Sequence, residues 1–158
     1  MDKEKLLEKF INNMKNNNFS DLTLRRLKTF SFSKEEVAEL IPYLDIKFSN
    51  QIRISIFELL GRTGFDSISL FEQYFSNELS TSLPGKIMDF AEKTNNTDLI
   101  LAVYSKYPSL STMALMKLKK MKKFDSMTPF MFSENISLAN LASEILNQSN
   151  EQLKQCGE

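Results

Sequence analysis

Segments with apolar residues at helical spacing recur in pairs along this chain, each pair joined by a short break containing Ser or Asn. An amphipathic helix has one apolar stripe to bury, so a chain built from such pairs must bury each hairpin against its neighbours. The pairs repeat at about thirty residues, the signature of an α-solenoid. Only four Gly and four Pro punctuate 158 residues, too few for the many tight turns of an all-β fold. The expected fold class is therefore all-α, an α-solenoid of about five stacked helical hairpins. An irregular helical bundle is the rival architecture.

Leu6, Leu7, Phe10, Ile11 and Met14 open the first pair, which breaks at Asn16–Asn18 and resumes with Leu24, Leu27 and Phe30. In the second, Ser33 and Glu36 have the spacing of a capping box and start a helix through Val37, Leu40, Ile41 and Leu44. Pro42 lacks a backbone donor and should kink it. The partner helix starts near Ser49, carries Ile52, Ile56, Leu59 and Leu60, and stops at Gly61 or, better, Gly64. The third pair runs from Ile68 through Phe75 and, after Ser76-Asn77, through Leu83, Ile87, Met88 and Phe90, with Pro84 in the helix's first turn, where its missing donor costs little. The fourth spans Leu99–Tyr104 and Ala114–Met121. The fifth joins a short helix around Met127–Phe132 to one through Leu138, Leu141, Ile145 and Leu146. Asp66, Asp98 and Asp125 each lie beside a helix start, which marks the joints between pairs. Residues 1–146 are expected to form a single domain, and 147–158 a polar tail, either a frayed helical end or a loose segment.

The stretch Glu39–Asp45, with Pro42 inside it, then Ile52-Arg53, then Leu59-Leu60-Gly61-Arg62-Thr63-Gly64, resembles the short bacterial HEAT-like repeat, also known from PBS-lyase-type proteins. The resemblance implies a superhelix of helical hairpins. It also implies a bond from the turn Asp, here Asp45, to the Arg that opens the second helix, here Arg53. The signature covers this one repeat. No Gly follows Phe90, Phe124 or Leu146, and no other Arg matches Arg53.

Catalytic chemistry has few candidates. The chain contains no His, which removes the commonest general base and metal ligand. A single Cys, Cys156, excludes ordinary zinc and iron-sulfur spacings and fits a reducing compartment. Glu35, Glu36 and Glu39 gather near a helix start, where the macrodipole favours negative charge. Most of the thirteen Phe fall on apolar stripes and read as core. Neither metal nor cofactor is expected. The segment Met1–Lys5 lacks the apolar core of a signal peptide, and no apolar run is long enough to span a membrane, so a cytoplasmic location is expected.

Net charge is zero, so attraction to a partner must be local. Sorting charge by helix layer shows where. The second helices of the five pairs together carry +6 and the first helices −4, with +5 of the former on Ser111–Lys123, whose lysines are 117, 119, 120, 122 and 123. In HEAT-like solenoids the second helices line the concave face where partners dock, and the resemblance makes that face basic here. Arg25, Arg26, Lys119, Lys120 and Lys123 are accordingly the expected partner-binding residues. The expected function is a non-enzymatic interaction module, an adaptor, regulator or inhibitor that binds a protein with an acidic surface. The alternative is a nucleic-acid binder, a role that some HEAT-like proteins play, DNA-repair glycosylases among them.

Overall fold

A computed structural model of the chain describes residues 2–16 and 21–156, with side chains other than those of 21 and 150–156. All regular structure among the described residues is helical. The chain divides into two compact units, Met1–Asn77 and Glu78–Glu158. The division falls at the Ser76-Asn77 break inside the third sequence pair.

In the first unit, α1 (Lys3–Lys15) is capped by Asp2, whose Oδ1 accepts from Lys5 N–H at 2.9 Å. Leu6, Leu7, Phe10, Ile11 and Met14 form its buried stripe. It packs on α2 (Asp21–Leu27), which contributes Leu24 and Leu27. Asn17 and Asn18, in the expected break between the two helices, lie outside the described residues. The capping box holds: Ser33 Oγ accepts from Glu36 N–H at 3.3 Å while Glu36 Oε1 accepts from Ser33 N–H at 3.1 Å. The helix it starts, α3 (Lys34–Val37), lasts one turn and gives way to a 3-10 segment, Ala38–Leu44, in place of a single kinked helix. Pro42 sits inside that segment and cannot donate to an α-helical ladder.

Helix α4 (Asn50–Arg62) begins on Ser49, whose Oγ accepts from Ile52 N–H at 3.3 Å. It is buried over most of its length and packs on both the 3-10 segment and α5 (Ser67–Tyr74). Gly61 lies within α4, and the chain turns at Gly64, whose φ of +103° suits a residue without Cβ. Asp66 caps α5 by accepting from the N–H groups of Ile68 and Ser69. Phe57 and Phe75 meet edge to face at 5.3 Å in this core.

In the second unit, α6 (Ser82–Lys93) packs on α7 (Thr97–Lys106), and α7 on α8 (Ser111–Lys120). Asn96, rather than Asp98, caps α7, its Oδ1 accepting from Leu99 N–H at 3.1 Å. Asp125 caps nothing: it lies in a 3-10 turn, Phe124–Met127, that has no side-chain cap. A four-residue helix, α9 (Thr128–Met131), then packs against α10 (Ile136–Cys156). Helix α10 carries helical backbone past Asn147 to Cys156, through residues expected to be either a frayed helical end or a loose segment. Ile87, Leu99, Val103, Leu115, Leu118, Phe130, Ala142 and Ile145 are buried here, with Tyr104 stacked on Phe130 at 4.7 Å.

Candidate interaction surface

Many helices of this chain end in a cation, which interacts favourably with the partial negative charge of a helix C-terminus. Helices α1, α4, α6 and α7 each carry one in the last turn: Lys15, Arg62, Lys93 and Lys106. The end of α2 has two, Arg25 and Arg26, both exposed. The end of α8 goes further, with Lys117, Lys119 and Lys120 in the last turn and Lys122 and Lys123 just beyond it. A helix C-terminus carries about half a unit of negative charge, which the five lysines at the end of α8 far exceed.

Part of that surplus is neutralised from α6. Lys117 Nζ lies 2.6 Å from both Asp89 Oδ1 and Glu92 Oε2, and Lys120 Nζ lies 3.1 Å from Glu92 Oε1. Hydrogen bonds from Lys117 and Lys120 hold the Glu92 carboxyl below the usual carboxylate range. Burial alone would lower the Lys117 pKa, but hydrogen bonding and attraction from Asp89 and Glu92 outweigh it and raise the value. Of the five predicted residues, Lys120 is thus partly engaged, although its side chain remains 79% exposed.

Among the described residues, no carboxylate pairs with Lys119, Lys122 or Lys123. Lys119 and Lys122 are exposed and Lys123 is half-buried. The backbone brings them together. Lys122 has a left-handed φ of +59°, its N–H donates to Lys119 O at 3.0 Å, and Lys123 N–H donates to Leu118 O at 2.9 Å, closing the helix in the manner of a Schellman cap. Lys122 belongs to this cluster, although the sequence argument did not select it.

Arg25 and Arg26 lie in the first unit and Lys119, Lys120 and Lys123 in the second, so each group is a local feature of its own unit. The first unit also contains an acidic cleft of about 410 Å³, with Glu4, Glu8, Glu36 and Glu39 around Leu7 and Ile11. Glu36 there is held below the ordinary carboxylate range by the Ser33 backbone N–H and by Lys3, 3.2 Å away. Among the described residues, no group of three or more His, Cys, Asp or Glu side chains is arranged to hold a metal ion. No helix among them is long and apolar enough to cross a membrane.

Asp45 and Arg53 differ from the family expectation. Asp45 Oδ1 accepts from Lys47 N–H at 3.0 Å. Arg53, only 1% exposed, donates to two backbone carbonyls, Leu44 O at 2.8 Å and Tyr74 O at 2.7 Å. Its role is to tie elements of the first unit together. Comparison with protein-family models, curated proteins and solved structures finds no significant match to this chain.

Proposed function

We propose that this protein is a non-enzymatic interaction module that binds an anionic macromolecular partner, acting in the cytoplasm as an adaptor, regulator or inhibitor. The observation that carries this reading is the lysine surplus at the end of α8. Lys119, Lys122 and Lys123 exceed what the helix dipole accounts for, and among the described residues no carboxylate forms an ion pair with them. A sequence without His supports binding over acid–base catalysis. In this reading the hairpins stack as a HEAT-like solenoid, and the second helices present Arg25, Arg26, Lys119, Lys120 and Lys123 to an acidic protein surface.

A second reading, phosphate-backbone binding, draws on the adjacent exposed guanidinium groups of Arg25 and Arg26, since guanidinium matches phosphate geometry well. Salt separates the two. Capture from native extract at about 50 mM and about 300 mM salt, assayed for protein and nucleic acid, is expected to retain a protein at both. A variant with all five cations changed to Gln is expected to lose that protein. Equal capture by wild type and variant would refute the charge-based reading.

A further inference from the structure

We propose that the cleft beside the end of α8 seats an acidic peptide segment bearing one bulky apolar side chain. The proposal rests on the interaction-module reading and names the chemistry of the partner. The cleft, of about 510 Å³, lies where the chain leaving α8 approaches α10 near Leu146. Its volume is typical of sites that enclose a small ligand. Lys122 and Lys123 stand on its rim, and Lys119 lies in the last turn of α8 just before them, outside the cleft lining. Phe124 and Leu146, each half-buried, supply apolar wall.

Two features favour a peptide over a phosphate backbone. Asp125 lines the same cleft and would repel an evenly charged polyanion, whereas a peptide can place its apolar residue there and its carboxylates against the lysines. The cations are all lysines, point charges suited to single carboxylates, without the guanidinium fork that matches phosphate. Two lysines on the rim, Lys122 and Lys123, with no ion-pair partner among the described residues, stand beside an apolar wall and complement a segment that alternates carboxylate and hydrocarbon.

The backbone adds an independent sign. Left-handed φ values occur at Gly64, Asn95 and Lys122. Gly and Asn adopt that conformation readily, but a lysine does so at a cost. Lysine at 122 places a cation on the cleft rim in a conformation that costs local stability.

The test uses the full chain and fluorescence anisotropy with three labelled probes: a short Asp/Glu peptide with one central Phe, the same peptide with Ala in its place, and an oligothymidylate of equal charge. The Phe peptide is expected to bind about tenfold more tightly than the Ala peptide. The triple variant Lys119→Gln, Lys122→Gln, Lys123→Gln is expected to weaken Phe-peptide binding about tenfold or more, with its helical circular dichroism retained. Lys122→Gly is expected to raise thermal stability while lowering affinity for the peptide, a split that a purely structural role for Lys122 would not give. Equal binding of the Phe and Ala peptides overturns the apolar seat. Lysine-dependent binding of the oligothymidylate in preference to either peptide overturns the peptide assignment and leaves the interaction-module reading standing. No lysine-dependent binding of any probe overturns both.

Discussion

Arg53 Nε donates to the carbonyl oxygen of Leu44 across 2.8 Å, joining the first turn of α4 to the end of the 3-10 segment before it. A second arm of the guanidinium reaches Tyr74 O at the end of α5, and Arg53 Cζ lies 4.6 Å from the Phe75 ring centroid. A cation near a helix N-terminus is ordinarily unfavourable. Here it serves the electronegative ends of two other elements, with cation–π contact in a buried setting. Arg53→Ala is expected to cost about 3 kcal/mol, because it opens a cavity and leaves the buried Leu44 carbonyl and the part-buried Tyr74 carbonyl without this donor. Arg53→Lys is expected to cost about half as much, since one ammonium cannot reproduce the fork. Urea denaturation of both variants measures this, and an unchanged midpoint for Arg53→Ala would refute the role.

Gly64 and Lys122 share a left-handed conformation and should respond to substitution with opposite signs. Gly64→Ala is expected to destabilise by about 1 kcal/mol. A Cβ there would lie 3.2 Å from Lys34 Cε, a flexible contact, so the φ of +103° is the main cause. Lys122→Gly is expected to stabilise by about 0.5–1 kcal/mol. Thermal melts that shift both variants in the same direction would contradict this account of the two turns.

The Lys117–Glu92 contact makes a pH-dependent contribution with a definite sign. Glu92 has a lowered folded-state pKa, so its contribution is present above its ordinary value of 4.5 and is lost as pH falls through the lower folded value. Lys117 has a raised one, so its contribution is present below 10.5 and is lost as pH rises through the higher folded value. Glu92→Gln is expected to destabilise by about 1 kcal/mol at neutral pH, with the difference from wild type closing as the solution is acidified below pH 4.5. Denaturation curves across pH check this; a difference that persists undiminished in acid would rule out the ion pair as its source.

The parts of this structure legible in the sequence are those fixed by neighbouring residues. The Ser33–Glu36 capping box, the Ser49 and Asp66 caps and the Gly64 stop each depend on groups within a few positions, and all appear as their residue types predict. Where two local signals compete, the sequence is less decisive. The apolar spacing around Pro42 suits a helix, but the proline ring crowds the carbonyl four residues back in an α-helix, and the segment has 3-10 geometry. Past Asn147, polarity left a frayed helical end and a loose segment both open; Gln, Glu and Lys are good helix formers, and α10 continues through them to Cys156. Contacts between distant segments were not legible. The repeat pattern drew attention to Arg53 but assigned it Asp45 rather than the Leu44 and Tyr74 carbonyls. The lysine run on α8 was plain, but nothing local reveals that Asp89 and Glu92 neutralise Lys117 and Lys120 while Lys119, Lys122 and Lys123 have no ion-pair partner among the described residues.

Lysine footprinting tests the proposed binding surface most directly. The acetylation rate of each lysine would be measured by mass spectrometry, with and without the partner captured from native extract. Slowed modification concentrated at Lys119, Lys120, Lys122 and Lys123, with Lys5, Lys9 and Lys86 unchanged, is the predicted result. Unaltered rates at the α8 lysines in a saturated complex would contradict it.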